Sequence, residues 1–207
     1  MLSALSPVAS WCQIELSAVF GHNMVLQKDQ ENPIWGRGPA NQKIWVEYKG
    51  LQWNGKIASD GTWRGALNLK KWRVEPGPGS LYVGLGKPSQ QPLLELTNLV
   101  VGRVWLFAGW DKKGIPATSG EDQHPPPDRL RFITVRDIMG LKTSVSSEIP
   151  SWDNYPAQPG QFERFPKLSL LVGNALLGKD YVGIIQTTAG SLAPAFLGRG
   201  SRSPHNP

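Results

Sequence analysis

Val101-Gly102-Arg103-Val104-Trp105-Leu106-Phe107-Ala108-Gly109 is a mostly apolar run that ends in glycine. Such a run suits a strand covered on both faces, as in the parallel sheet of an α/β unit. Downstream, Arg131 to Val135 reads as a second strand and Tyr181 to Thr187 as a third. Between these two, Phe165, Leu168, Leu171, Val172, Ala175 and Leu176 recur at helical spacing, so 165–177 is predicted to be a helix with Gly178 as its C-cap. The stretch 111–128, rich in Lys, Gly, Pro and Asp, and the polar stretch 140–160 read as loops. Strand, loop, strand, helix, strand is half of a doubly wound unit.

Upstream of Val100 the pattern changes to short strands. Ile44, Val46 and Tyr48 face one way while Trp45, Glu47 and Lys49 face the other, a period of two that marks a strand with one buried face. Lys49-Gly50 ends it, residues 53–58 pair back, and Ser59-Asp60-Gly61 is a turn signal before a strand over 62–69. Pro76-Gly77-Pro78-Gly79 is a sharp break, after which Leu81, Val83 and Leu85 alternate again. Shorter runs occur at Met24–Gln27 and Pro33–Gly36. Strands of this length and spacing predict a small β-sandwich over 14–100.

Composition agrees with a globular, turn-rich chain. Hydrophobic residues make up 40% and charged residues 18% of the 207 positions, and 23 Gly with 18 Pro imply many turns. The net charge of +6 favours acidic partners. The cations are scattered, at Lys70, Lys71 and Arg73, at Lys112 and Lys113, and at Arg129, Arg131 and Arg136. None of these groups is a run of the kind that marks a nucleic-acid tail, so no nucleic-acid partner is expected. The single cysteine, Cys12, permits no intrachain disulfide. No segment approaches the roughly 20 apolar residues of a membrane span. Met1 to Cys12 carries no Lys or Arg and is short for a signal peptide, so it is expected to be a retained arm packed on its own domain or a neighbour. P-loop, dinucleotide-glycine, Cys-x-x-Cys and Gly-x-Ser-x-Gly patterns do not occur, and the three histidines, His22, His124 and His205, lack metal-ligand spacing. No cofactor or metal is expected.

The chain has nine tryptophans. Trp45, Trp53, Trp72, Trp110 and Trp152 are candidates for an exposed aromatic surface, with core or interface use preferred.

Leu16-Ser17-Ala18-Val19-Phe20-Gly21-His22-Asn23-Met24-Val25-Leu26-Gln27 resembles the opening motif of the sialate O-acetylesterase family. Ile34-Trp35-Gly36, Asp60-Gly61-Thr62-Trp63, Val101–Leu106, Arg131-Phe132-Ile133 and Val182–Gln186 with Gly190 resemble further motifs of that family, in order, over about 14–197. The resemblance implies an SGNH-hydrolase-like unit after the β-sandwich, and it puts Trp35, Trp63 and Trp105 at landmark positions expected in the core. In the family the strand ends in Gly-Gln-Ser-Asn-Met, whose serine is the nucleophile. The corresponding stretch here is Gly109-Trp110-Asp111-Lys112-Lys113, so Asp111 stands at the nucleophile position. Attack by a carboxylate would yield an anhydride, and Asp111 lacks the hydroxyl proton that base-activated addition requires. The family's Trp-Gly-Gly-Thr loop is Thr188-Ala189-Gly190-Ser191 here, with Gly190 at the glycine-loop position. The family's catalytic histidine and its preceding aspartate correspond to no position of this chain. Asp122-Gln123-His124-Pro125 has the wrong spacing to replace them.

These readings combine into one expectation: a mixed α+β fold with an arm (1–13), a β-sandwich (14–100), a truncated parallel α/β unit (101–197) and an extended tail (198–207). The chain is expected to be a pseudoenzyme of the carbohydrate esterase type, serving as a structural or interaction subunit of a larger assembly. No catalytic residue is assigned. Trp110, Lys112, Lys113, Arg199 and Arg202 are the candidate interaction residues, toward protein subunits with acidic surfaces. Contact with a membrane surface is left open. The expected location is the cytoplasm or the periphery of a larger complex. The alternatives are a carbohydrate-binding module, with sugar the less favoured partner, and an acetylesterase whose rebuilt site is completed by another chain.

Overall fold

The computed structural model describes residues 14–70, 77–88, 90–109, 129–135, 151–154, 173, 175, 176 and 178–188. Along these residues the strands are β1 (Glu15–Leu16), β2 (Val25–Gln27), β3 (Glu31–Arg37), β4 (Lys43–Tyr48), β5 (Leu51–Lys56), β6 (Thr62–Asn68), β7 (Gly79–Leu85), β8 (Leu94–Gly109), β9 (Leu130–Val135), β10 (Asp153–Asn154) and β11 (Tyr181–Thr188).

Turn chemistry places most of the early strands. Lys49 and Gly50 both have positive φ, 47° and 81°, between the antiparallel partners Tyr48 and Leu51. Positive φ at both central residues is the geometry whose twist matches a two-residue hairpin. Between β5 and β6 the Asp60 carboxylate accepts hydrogen bonds from the Thr62 amide (2.9 Å) and hydroxyl (2.6 Å). These bonds hold the Asp60 carboxyl below the usual carboxylate range. Gly61, with φ 81°, completes the turn by donating to the Ala58 carbonyl.

The strands form two sheets among the described residues. A small one has the order β1-β3-β6 and is antiparallel throughout. The large one has the order β10-β9-β11-β8-β7-β4-β5, with β2 also paired to β8. Strand β8 is the hinge of the topology. Its first part runs antiparallel to β7, Val100–Gly102 pairs in parallel with β2, and Gly102–Gly109 pairs in parallel with β11. Strand β9 is parallel to β11 on the far side. At Gly102 an added Cβ would stand 2.2 Å from the Tyr181 carbonyl oxygen, so β11 can approach β8 there only because the residue is glycine.

One apolar cluster joins both regions. It includes Ile44, Val46, Tyr48, Leu81, Val83, Leu96, Leu99, Val100, Met24, Ile133 and Trp152. A smaller cluster, Leu130, Phe132, Val182 and Ile184, lies under β9 and β11. Each fully buried aliphatic side chain contributes about 1.5–3 kcal/mol relative to an exposed one.

The expected mixed α+β class, with an SGNH-like α/β unit, is overturned. The described residues are overwhelmingly strand, and helix is confined to Gly173, Ala175 and Leu176. Most of the helix expected over 165–177 lies outside the described residues. The apolar run at 101–109 suggested a strand sandwiched between helical layers. In the structure it is the second half of a 16-residue strand that continues directly from the antiparallel region. Trp105 and Leu106 on that run are 43% and 61% exposed, so the run is not covered on both faces. Apolar content alone misreported its burial.

Candidate functional site

The parallel strands end together. Gly109 is the register partner of Thr188, and Val135 of Thr187. Sequence-predicted positions follow these ends in the chain: Trp110, Asp111, Lys112 and Lys113 after β8, and Gly190 and Ser191 after β11. These residues lie outside the described ones, as do His124, Arg199, Arg202, His205 and the arm 1–13. The geometry therefore fixes the strand ends, Gly109 and Thr188, that precede these positions in the chain.

A second polar constellation is fully described, and it gathers the opening motif. Asn23 and Asn98 both adopt the left-handed conformation, with φ of 61° and 59°. Their side chains are linked by a 2.7 Å bond from Asn98 Nδ2 to Asn23 Oδ1. Arg131, 4% exposed, donates from Nη1 to the carbonyl oxygens of Asn23 (2.9 Å) and Asn98 (2.5 Å). Its guanidinium also lies 5.2 Å from the Tyr181 ring centroid. Asn23 Nδ2 donates to Ser151 Oγ (2.8 Å) and to the Trp152 carbonyl (3.2 Å). Trp152 in turn donates through Nε1 to the Val19 carbonyl and through its amide to the His22 carbonyl.

His22 is bound into the same clasp. Its Nδ1 accepts the Thr97 amide at 3.0 Å and lies 2.9 Å from Thr97 Oγ1. Acceptance of a backbone N–H puts the ring proton on Nε2 and occupies the Nδ1 lone pair. Gln27 serves the backbone too, with Oε1 accepting the Val104 amide at 2.6 Å. The motif residues His22, Asn23 and Gln27 thus tie the 17–27 segment to β8, β9 and the 151–152 bridge. This arrangement holds strands in register, and its carbonyls and amides are already paired with one another.

Tyr48 borders the clasp. Its hydroxyl donates to the Leu99 carbonyl at 3.3 Å, and burial pushes its pKa up to about 12, with the Arg131 charge opposing. It is therefore a neutral donor at physiological pH. Among the described residues no group of three or more His, Cys, Asp or Glu is arranged to hold a metal ion, and no helix is long and apolar enough to cross a membrane.

Trp45 and Trp152, for which core or interface use is preferred over an exposed surface, are each 2% exposed, in keeping with that preference. Trp53 is half-buried and stacks on buried Trp63 at 6.1 Å. Trp105, expected in the core, is exposed. Trp72 and Trp110 lie outside the described residues. Sequence reasoning missed the role of Arg131, although an arginine opening the apolar stretch Phe132-Ile133-Thr134-Val135 was its available signal. The partnership of Asn98 and Ser151 with Asn23 had no local signal.

No protein-family model matches the chain, and no curated protein matches its sequence. Among solved structures, a carbohydrate acetylesterase from Xanthomonas citri superposes with a TM-score of 0.57 at 20% identity, over 91% of this chain and 44% of that one. At this identity the likeness is one of fold. The chain spans less than half the length of that protein, and its fold is esterase-like to that extent.

Proposed function

We propose that this is an esterase-like chain that does not hydrolyse esters and acts as a structural or interaction subunit of a larger assembly. The observation that carries the reading is Asp111, which follows the end of β8 by two residues. In sheets with parallel strands, ligands and chemistry gather at the carboxyl ends of those strands. Gly109 and Thr188 are paired at that end. A serine there could add to an acyl carbon after losing its proton to a base, whereas a carboxylate cannot follow that route. His22, the described histidine, has Nδ1 committed to Thr97. The relation to a sialate O-acetylesterase belongs to this same proposal.

The test is hydrolysis of p-nitrophenyl acetate and of an O-acetylated sialic acid by the purified chain. Turnover at the buffer rate is expected for the wild type and for Asp111→Ala alike. Turnover well above buffer that Asp111→Ala abolishes would refute the reading and favour a rebuilt esterase site.

A further inference from the structure

We propose that the outer face of the small sheet is a docking groove for an extended acidic polypeptide segment. This deepens the interaction-subunit reading and rests on it. The groove holds about 560 Å³ and is lined by Trp35, Arg37, Lys56, Thr62, Trp63 and Arg64 among others, with no acidic residue among the described residues of its lining. On β3 the residues Asn32, Ile34 and Gly36 point inward, leaving Trp35 half-buried and Arg37 exposed on the other face. On β6 Trp63, Gly65 and Leu67 point inward, leaving Arg64 exposed.

Register sets the spacing of the charges. Trp35 is opposite Arg64, and Arg37 is opposite Thr62, so the two arginines are diagonal neighbours across β3 and β6. Diagonal neighbours stand about 7–8 Å apart. Alternate side chains of an extended peptide share one face at a spacing of about 7 Å. A segment with acids at every second residue therefore matches the arginine pair.

The local charge balance points the same way. Lys56 stands directly opposite Lys43 on the β4–β5 hairpin, and like charges in that relation repel. An anion beside Lys56 relieves this repulsion. Among the described residues the nearby acids are Glu15, in register with Arg37, and Asp60, whose carboxylate is bonded to Thr62. Arg37 spends one donor on the Asp60 carbonyl at 2.9 Å and retains others, since a guanidinium carries five. Among the described residues the ion pairs are Lys28–Asp180 and Arg103–Asp180, away from this groove.

The rings favour a peptide over a stacked sugar. Trp63 is 4% exposed and stacked on Trp53. Trp35 is half-buried with Phe20 against it in a T-shaped contact, centroids 4.6 Å apart. The groove therefore offers guanidinium forks beside an indole flank rather than an open indole platform.

The experiment is fluorescence anisotropy of the full chain with a fluorescein-labelled peptide of alternating Glu and Thr, beside one of equal composition with its Glu residues contiguous. Tighter binding of the alternating peptide is expected. A loss of roughly 10-fold or more is expected in R37Q/R64Q, against less than about 2-fold in the charge-matched control K87Q/K179Q. R37K/R64K should recover part of the affinity, because charge is kept while the fork is lost. Equal losses in both Gln variants, or no saturable peptide binding, overturn the proposal. So does retention on phosphatidylserine vesicles, lost in R37Q/R64Q, without peptide binding, which would reassign the face to a membrane surface. Failure here leaves the esterase test untouched, and esterase turnover would leave this groove untouched.

Discussion

Replacement of Arg131 by methionine should destabilise the protein more than loss of a typical surface cation. The arginine is 4% exposed and donates to two backbone carbonyls, those of Asn23 and Asn98. Both carbonyls belong to residues in the left-handed conformation, one in the 17–27 segment and one within β8. Methionine fills similar space but donates nothing, so both acceptors lose a charged partner. A hydrogen bond to a charged group contributes about 1.5–3 kcal/mol, which puts the loss near 4 kcal/mol. Relief from burying the guanidinium offsets part of this, and the unmet carbonyls add to it. The assay is urea unfolding followed by tryptophan fluorescence. With a slope of about 2 kcal/mol per molar urea, the midpoint should fall by about 2 M at unchanged slope. Asn98→Ala should be markedly non-additive with Arg131→Met, because one network is being cut twice. A midpoint shift of under about 0.3 M, or strict additivity of the two variants, would show that the clasp is incidental to stability.

Gly36→Ala should be disruptive despite adding a single methyl group. The new Cβ would stand 1.9 Å from the Glu15 carbonyl oxygen, a backbone atom, so β1 must move off β3. A stability loss of about 2 kcal/mol or more is expected in thermal melts, and an unchanged melting temperature would contradict the β1–β3 pairing. Tyr48 gives a pH signature. Its pKa is raised by burial from 10.0 to about 12, so the neutral form is favoured in the folded state. The associated stability is complete below about pH 10 and is lost as pH rises toward about 12, by roughly 2–3 kcal/mol. Urea midpoints measured across that window should fall less steeply in Tyr48→Phe than in the wild type, and parallel slopes would count against a buried neutral tyrosine.

Much of the local structure was legible because its causes are local. Lys49-Gly50 and Asp60-Gly61-Thr62 specify turns through positive φ and a side-chain cap, and alternation along Ile44, Val46 and Tyr48 specifies a one-sided strand. Strands at 130–135 and 181–188 also follow from short apolar runs. Burial was less legible. Trp105, expected in the core, is exposed because exposure depends on which strands arrive alongside, a non-local matter. The same is true of fold class, since an apolar strand reads alike whether its faces are covered by helices, by sheet or by neither.

The sequence by itself determined the turns and the strand periodicities, because each is written in neighbouring residues. Only the tertiary structure decided what His22 and Asn23 are for. Their partners, Thr97, Asn98, Arg131, Ser151 and Trp152, lie 74 or more residues away along the chain and meet them only once β8, β9 and the 151–152 bridge converge. Hydrogen bonds act over about 3 Å of space irrespective of chain separation, so their pairing is a property of the folded topology.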